Sequence, residues 1–252
     1  MYRQISKLRE IHGAKHFGFI PRTFILPNEF VYLEEAMKQN AGKQWIVKPA
    51  ASSQGRGIFV TTSLCEIPHK EKQYVVSEYI ASPLLFNGFK FDLRIYVAIT
   101  SVNPLRIYIY EEGLTRFATC KYSESGAAGS RKTTKFMHLT NFSVNKKNIN
   151  FVQTNSAEED GKGSKWSISV LRKTLRAQGI NDNQIWRKIE DICIKTILSA
   201  EPVIFQAFNS SVPHRDNCFE LLGFDILIDS ELEPWLIEVN LSCSLGCESA
   251  LD

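Results

Sequence analysis

The chain has 252 residues, 44% of them hydrophobic and 11% aromatic, with a formal net charge of +3. That content supports a substantial core in one domain or two fused lobes, and the small, dispersed charge argues against a nucleic-acid partner. No apolar run approaches the roughly 20 residues of a membrane span, and the N-terminus MYRQISKLREIHG lacks the apolar centre of a signal peptide, so a cytoplasmic protein without membrane attachment is expected.

A first helix is predicted over much of residues 2–12, and a second after Pro27, where Asn28 can cap the run FVYLEEAMKQ. Strands follow: QWIVKP at 44–49, GIFV at 57–60, YVVSEYI at 74–80, and FDLRIYVAIT, LRIYIY and LTRFATCKY between 91 and 122. Each is rich in β-branched or aromatic residues and bounded by Gly, Pro, Asn or Ser. SESGAAGS at 123–130 and the polar segment 145–165 read as mobile loops. Two helices are expected next, SKWSISVLRKTLRAQG and NDNQIWRKIEDICIKTILSAEPVIFQAF, the second with Ile185, Ile189, Ile192 and Ile197 at helical spacing. The strands CFELLGFDILID and PWLIEVN close the chain, and the order of elements indicates an α+β fold. Cys65, Cys120, Cys193, Cys218, Cys243 and Cys247 form no Cys-x-x-Cys pair and are expected as reduced, mostly buried thiols.

The last hairpin carries the clearest chemistry. Symmetric antiparallel pairing about the middle of DSELEP (229–234) sets Asp225 opposite Glu238, with Asn240 on the same face two residues further on. Facing carboxylates repel, so a positive charge is expected between them, and an all-oxygen donor set on a rigid sheet suits Mg²⁺. The alternative is a solvated strand face, which fits poorly with the apolar contexts GFDILI and WLIEVN.

A metal that prefers phosphates calls for a phosphate cradle, and KPAASSQGRGIFV at 48–60 is a candidate. Lys48 brings a point charge, and Gly55 and Gly57 permit close approach of backbone N–H groups. The segment matches neither a P-loop nor a dinucleotide fingerprint. In FKFDLRIY, Lys90, Asp92 and Arg94 alternate with apolar residues and share a strand face. That spacing is consistent with Lys90 on phosphate, Asp92 on a ribose hydroxyl and Arg94 on developing phosphoryl charge. Arg131, Lys132, Lys135, Lys146 and Lys147 form a basic neighbourhood suited to an acidic partner.

Taken in order, HFGFIPRTFILP, WIVKPAASSQGRGI, FKFDLRIYV, GLTRFATCKY, FMHLTNFSVNK, CFELLGFDILID and PWLIEVNLS resemble the tubulin tyrosine ligase-like family of ATP-grasp ligases, and within it the polyglutamylases. The resemblance implies an α+β ATP-grasp domain over residues 1–252, cut short at both ends. Residues 1–80 would form a central lobe and 81–252 a C-terminal catalytic lobe, with antiparallel sheets, flanking helices and an abbreviated N-terminal lobe. It implies ATP-binding roles for Lys48, Gln54, Gly55, Ser77, Glu78, Tyr79, Ile80, Lys90, Phe91, Asp92, Thr140 and Asn141, and magnesium ligation by Asp225, Glu238 and Asn240. It also implies catalytic roles for Arg94 and Arg116, and contacts to the incoming glutamate from Arg116, Gln54, Ser143 and Lys165. The activity expected from it is glutamate addition to tubulin C-terminal tails, driven by ATP and Mg²⁺ through an acyl phosphate. The expected enzyme is monomeric, uses free L-glutamate, and acts at the cytoskeleton and at the cilium or basal body.

Two features depart from the family pattern. Cys243 stands where the family has a proline, and the chain stops before a substrate-binding lysine. A catalytically silent ATP- or microtubule-binding module is therefore a competing expectation. A glycine ligase is a third, disfavoured because a glycine acceptor offers Arg116 no side-chain carboxylate.

Overall fold

The computed structural model describes residues 1–52, 55–68, 72–123, 131–154, 156–212, 214, 217–241, 243 and 246. Gln54, residues 124–130 of the expected loop at 123–130, and Cys247 lie outside the described residues, as do the side chains of Arg131 and Lys132. The helices are α1 (Tyr2–His12), α2 (Ala14–Phe17), α3 (Phe30–Gln39), α4 (Arg131–His138), α5 (Phe142–Asn145), α6 (Ile168–Ala177) and α7 (Asp182–Ser211). The strands are β1 (Thr23–Leu26), β2 (Trp45–Pro49), β3 (Phe59–Thr61), β4 (Tyr74–Glu78), β5 (Leu85–Phe86), β6 (Phe89–Val102), β7 (Leu105–Phe117), β8 (Lys165–Ser167), β9 (Glu220–Ile228) and β10 (Pro234–Leu241). The result is an α+β protein with antiparallel sheets and flanking helices. Among the described residues no helix is long and apolar enough to cross a membrane.

The chain packs into two compact units, residues 1–19, 91–117 and 152–252 in one, and 20–90 with 118–151 in the other. These interleave along the sequence, whereas the expected lobes 1–80 and 81–252 are contiguous. The reason is strand pairing: the β6–β7 hairpin joins β9 through pairs such as Leu93↔Ile226, so distant segments share one core.

In the second unit β1, β4, β2 and β3 form an antiparallel sheet in that order. Leu33, Ala36 and Met37 recur at helical spacing on α3 and pack with Phe24, Leu26, Trp45, Val47 and Val76. Period-two alternation on β2 buries Trp45 and Val47 and turns Lys48 to the other face. The α3 N-cap is Glu29 rather than the expected Asn28. Its carboxylate accepts from the Ile25 N–H at 2.7 Å, which ties the helix start to β1.

In the first unit the sheet order is β10-β9-β6-β7-β8. Ile168, Leu171 and Leu175 of α6, and Ile185, Ile189, Ile192 and Ile197 of α7, supply the buried helix stripes. Two sequence expectations change here. LRIYIY and LTRFATCKY are not separate strands: β7 runs unbroken from Leu105 to Phe117. The helix predicted from Ser164 starts only at Ile168, because the Ser167 side chain caps it by accepting from the Val170 N–H, while Lys165, Trp166 and Ser167 pair with β7. The polar segment 145–165 is accordingly more than a loop, since it holds a short 3-10 turn at Ala157–Glu159 and buries Thr154. Asp182 clamps the α6–α7 junction, accepting from Arg172 Nε and Arg176 Nε at 2.6 Å each. Of the described cysteines, all free, only Cys193 is buried, its thiol pushed up to about 12 by burial, so the expectation of mostly buried thiols is corrected.

Candidate active site

The first unit carries a row of charged residues along one face of its sheet. Pairing sets Lys165 on β8 opposite Arg116 on β7, and Arg116 opposite Asp92 on β6. Two residues along β6, on the same face, Arg94 lies opposite Asp225 on β9, which lies opposite Glu238 on β10. Cations and anions from five strands thus stand side by side.

The expected pairing of Asp225 with Glu238 is present, by an indirect route. At the hairpin tip the register is offset by one, with Pro234 opposite Ile228, and an irregularity between Leu236 and Glu238 restores the alignment. Asp229 builds the tip: its Oδ1 accepts from the N–H groups of Glu231 and Glu233, and its Oδ2 from Trp235 Nε1 at 2.7 Å.

The expected positive charge beside Asp225 is arginine. Arg94 Nε donates to Asp225 Oδ1 at 2.5 Å and Arg94 Nη2 to Oδ2 at 3.2 Å, while Arg116 Nη2 lies 2.9 Å from the same Oδ2. Arg116 also grips Asp92, with Nε on Oδ1 at 2.9 Å and Nη2 on Oδ2. Arg116 is only 8% exposed and Asp225 only 2%, so these charges are stable in the core only as partners. Burial alone would lower the Arg116 pKa; Asp225 and then Asp92 reverse this and hold it well above the ordinary arginine value. Burial alone would likewise raise Asp225, and Arg116 followed by Arg94 pull it down to about 2. Gly223 makes room for the network, since a Cβ there would meet Arg94 Cδ at 3.0 Å.

Asp225, Glu238 and Asn240 present oxygen donors on neighbouring strands, and the set fits a magnesium ion. Asp225 Oδ1 accepts a single hydrogen bond, so a lone pair remains for coordination. Asn240 Nδ2 donates to the Gly223 carbonyl at 3.2 Å, which leaves its Oδ1 as the acceptor end of the amide. The set is two carboxylates and an amide; among the described residues no group of three or more His, Cys, Asp or Glu is placed to hold a metal. Phe91 belongs instead to the core, 1% exposed and 5.5 Å from the Phe117 ring. Asp92, expected on a ribose hydroxyl, has both oxygens on Arg116.

The remaining candidates lie in the second unit. Gly55 has φ of +70°, and a Cβ there would sit 2.9 Å from Val144 Cγ2 and 3.3 Å from Asn141 Oδ1, so the loop packs directly against another predicted site residue. Gly55→Ala is expected to cost about 1–2 kcal/mol from the left-handed backbone alone, measurable by urea unfolding; an unchanged midpoint would show that the loop relaxes freely. The N–H groups of Glu78 and Tyr79 donate to the carbonyls of Arg22 and Gln44, and the Glu78 side chain pairs with Lys43. The backbone donors of this segment are therefore used up before Ile80. Thr140 is buried, and Asn141 and Ser143 are half-buried around the start of α5.

Sequence reasoning missed Asn145 and His138. Asn145 Oδ1 accepts from Thr119 N at 3.0 Å and Thr119 Oγ1 at 2.8 Å, and its Nδ2 donates to the Leu139 and Asn141 carbonyls. All four hydrogen bonds of the amide are made, and they fix the backbone of the HLTN segment. A cavity of about 480 Å³ adjoins this region, lined by Gly57, Phe59, Glu66, Lys135, His138 and Leu139 among others. Nothing in a single sequence distinguishes these side chains from solvated loop polars.

The sequence matches the tubulin-tyrosine ligase family over residues 1–252. It is 47% identical over 252 residues to tubulin polyglutamylase TTLL5 of Homo sapiens, covering 100% of this chain and 19% of that protein. To tubulin monoglutamylase TTLL4 of Mus musculus it is 45% identical, covering 100% of this chain and 21% of that protein. To tubulin polyglutamylase TTLL6 of Mus musculus it is 44% identical over 253 residues, covering 99% and 30%. The chain therefore spans less than a third of the length of these relatives. With every one of its residues inside the family match, the chain belongs to the tubulin-tyrosine ligase family.

Proposed function

We propose that this chain is a ligase that uses ATP and magnesium to join free L-glutamate to side-chain carboxylates of glutamates in the acidic C-terminal tails of tubulin. The observation that carries the reading is the buried charged row, in which Arg116 is held rigidly by Asp92 and Asp225 beside the oxygen donors of Asp225, Glu238 and Asn240. The names of the relatives, tubulin polyglutamylases and a tubulin monoglutamylase, give that chemistry its direction.

In this reading a tail carboxylate oxygen attacks the γ-phosphorus of ATP, ADP leaves, and an acyl phosphate forms. The amine nitrogen of glutamate, its ammonium proton released to solvent, then attacks the acyl carbon; the C–O bond to phosphate breaks and a second amine proton leaves with the phosphate, which gives an isopeptide bond. Lys48, Gln54, Gly55, Ser77, Glu78, Tyr79, Ile80, Lys90, Thr140 and Asn141 hold the nucleotide, and Asp225, Glu238 and Asn240 hold the metal. Magnesium, when bound, offsets the negative charge of the phosphates. Arg94 stabilises charge developing on the transferred phosphoryl group. Arg116 uses Nε and Nη2 on Asp92 and Asp225, and its Nη1, with no partner among the described residues, binds the carboxylate of the incoming glutamate with help from Ser143 and Lys165. The work of such a site is positioning and charge neutralisation, without an enzyme nucleophile. The protein acts on microtubules as a monomer, including those of cilia and basal bodies.

A second reading is a nucleotide-binding module without turnover, favoured by the commitment of both Asp225 oxygens to arginine. Incubating the purified chain with tubulin, ATP, Mg²⁺ and labelled glutamate separates the two. Label is expected on tubulin tails only when ATP and Mg²⁺ are both present. Absence of label with nucleotide still bound would establish the second reading, and label from glycine instead of glutamate would point to a glycine ligase.

A further inference from the structure

In the second unit three buried polar side chains form a chain that links two of the nucleotide residues proposed above, Lys90 and Tyr79, to His138, which that reading does not use. Lys90 Nζ donates to Tyr79 Oη at 3.0 Å and lies 4.5 Å from the centre of the Tyr79 ring. Tyr79 Oη lies 2.7 Å from His138 Nδ1. The three residues are 6%, 7% and 5% exposed, so water does not compete for these bonds. Tyr122 closes the cluster, its ring edge-on to His138 at 5.8 Å and its hydroxyl donating to the Ala81 carbonyl at 2.6 Å.

The charge state of His138 follows from chemistry. An ammonium has only protons to give, so Tyr79 oxygen accepts from Lys90, and the tyrosine proton goes either to His138 Nδ1 or to the Tyr122 hydroxyl, which also hydrogen-bonds Tyr79. His138 is a neutral imidazole in both arrangements, protonated on Nε2 in the first and on Nδ1 in the second. A charged imidazolium would place a second cation on the same oxygen. Burial first, and then the charge of Lys90, push the imidazole down to about 4, in agreement with that assignment.

We propose that His138 is a positioning residue for the Lys90 ammonium, acting through the Tyr79 hydroxyl to hold Lys90 aimed at a nucleotide phosphate. The inference rests on the reading of Lys90 as a phosphate contact. His138 also lines the cavity of about 480 Å³, so the same imidazole links the wall of that cavity to the lysine.

The test is calorimetric binding of MgATP to the full chain and its variants, with thermal melts confirming that each is folded. Tyr79→Phe keeps the ring and removes the hydroxyl, and is expected to raise the Kd about tenfold, as is His138→Leu. His138→Gln, whose amide can either accept from Tyr79 or donate to it, is expected to restore binding to within about threefold. The KM for glutamate should not move, which a general loosening of the fold would not respect. Folded Tyr79→Phe or His138→Leu with unchanged Kd would overturn the inference and leave the ligase reading intact. Weakened nucleotide binding in the variants, combined with no glutamate transfer by the unsubstituted chain, would support the inference and end the ligase reading. An unsubstituted chain that binds no MgATP would overturn both.

Discussion

Arg116→Met is expected to lower folding stability by about 3–5 kcal/mol, because it leaves two buried carboxylates short of a partner. Asp92 loses the guanidinium that covers both of its oxygens, and Asp225 keeps only Arg94. A methionine fills much of the same volume, so the loss is electrostatic rather than a cavity. For a chain of this size the change corresponds to a fall in Tm of roughly 6–20 °C. Glutamate transfer should disappear as well, since the carboxylate of the incoming substrate loses its partner. A second substitution separates stability from function. Arg116→Met combined with Asp92→Leu removes both halves of one pair and should recover at least about half of the lost stability, with no recovery of transfer. If the single variant melts within about 2 °C of the unsubstituted protein, the network is not holding the sheet together and its description as a buried ion cluster is wrong.

Glu238→Gln should do the opposite, abolishing function and sparing the fold. Glu238 is half-buried and directly opposite Asp225, and glutamine keeps its length and one oxygen acceptor, so stability should move by less than about 1 kcal/mol. As a proposed magnesium ligand it should be essential for turnover, and transfer should fall by at least about a hundredfold. A readout independent of activity is available. Mg²⁺ with ADP should raise the Tm of the unsubstituted chain and fail to raise that of Glu238→Gln. Equal protection of both proteins by Mg²⁺ would remove Glu238 from the metal site.

Much of this architecture was legible in order along the chain. The alternation in FKFDLRIY and the apolar settings of Asp225 and Glu238 were enough to place three charged groups on strand faces and to pair the two acids. Helical spacing in α7 was equally plain. The errors fell where local pattern and tertiary pairing compete. Lys165 to Ser167 have helix-compatible sequence, yet they pair with β7 because a neighbouring strand edge is available, and Ser167 then caps the helix that follows. The symmetric turn assumed for the last hairpin is also wrong in detail, since Asp229 organises the tip through its own carboxylate and an irregularity further along corrects the register.

The sequence by itself determined the class of fold, the family, and the facing acids of the last hairpin, because periodicity, turn chemistry and ordered motifs are local properties. It also required that a positive charge accompany Asp225, on the cost of burying like charges together. Only the tertiary structure decided which charge that is. Arg94 and Arg116 are 131 and 109 positions away from Asp225 in the chain, and strand pairing between distant segments brings them within hydrogen-bonding distance. The same holds for His138 and Tyr79, whose 2.7 Å connection depends on burial and on the approach of segments 59 positions apart, neither of which has a signature in residue spacing.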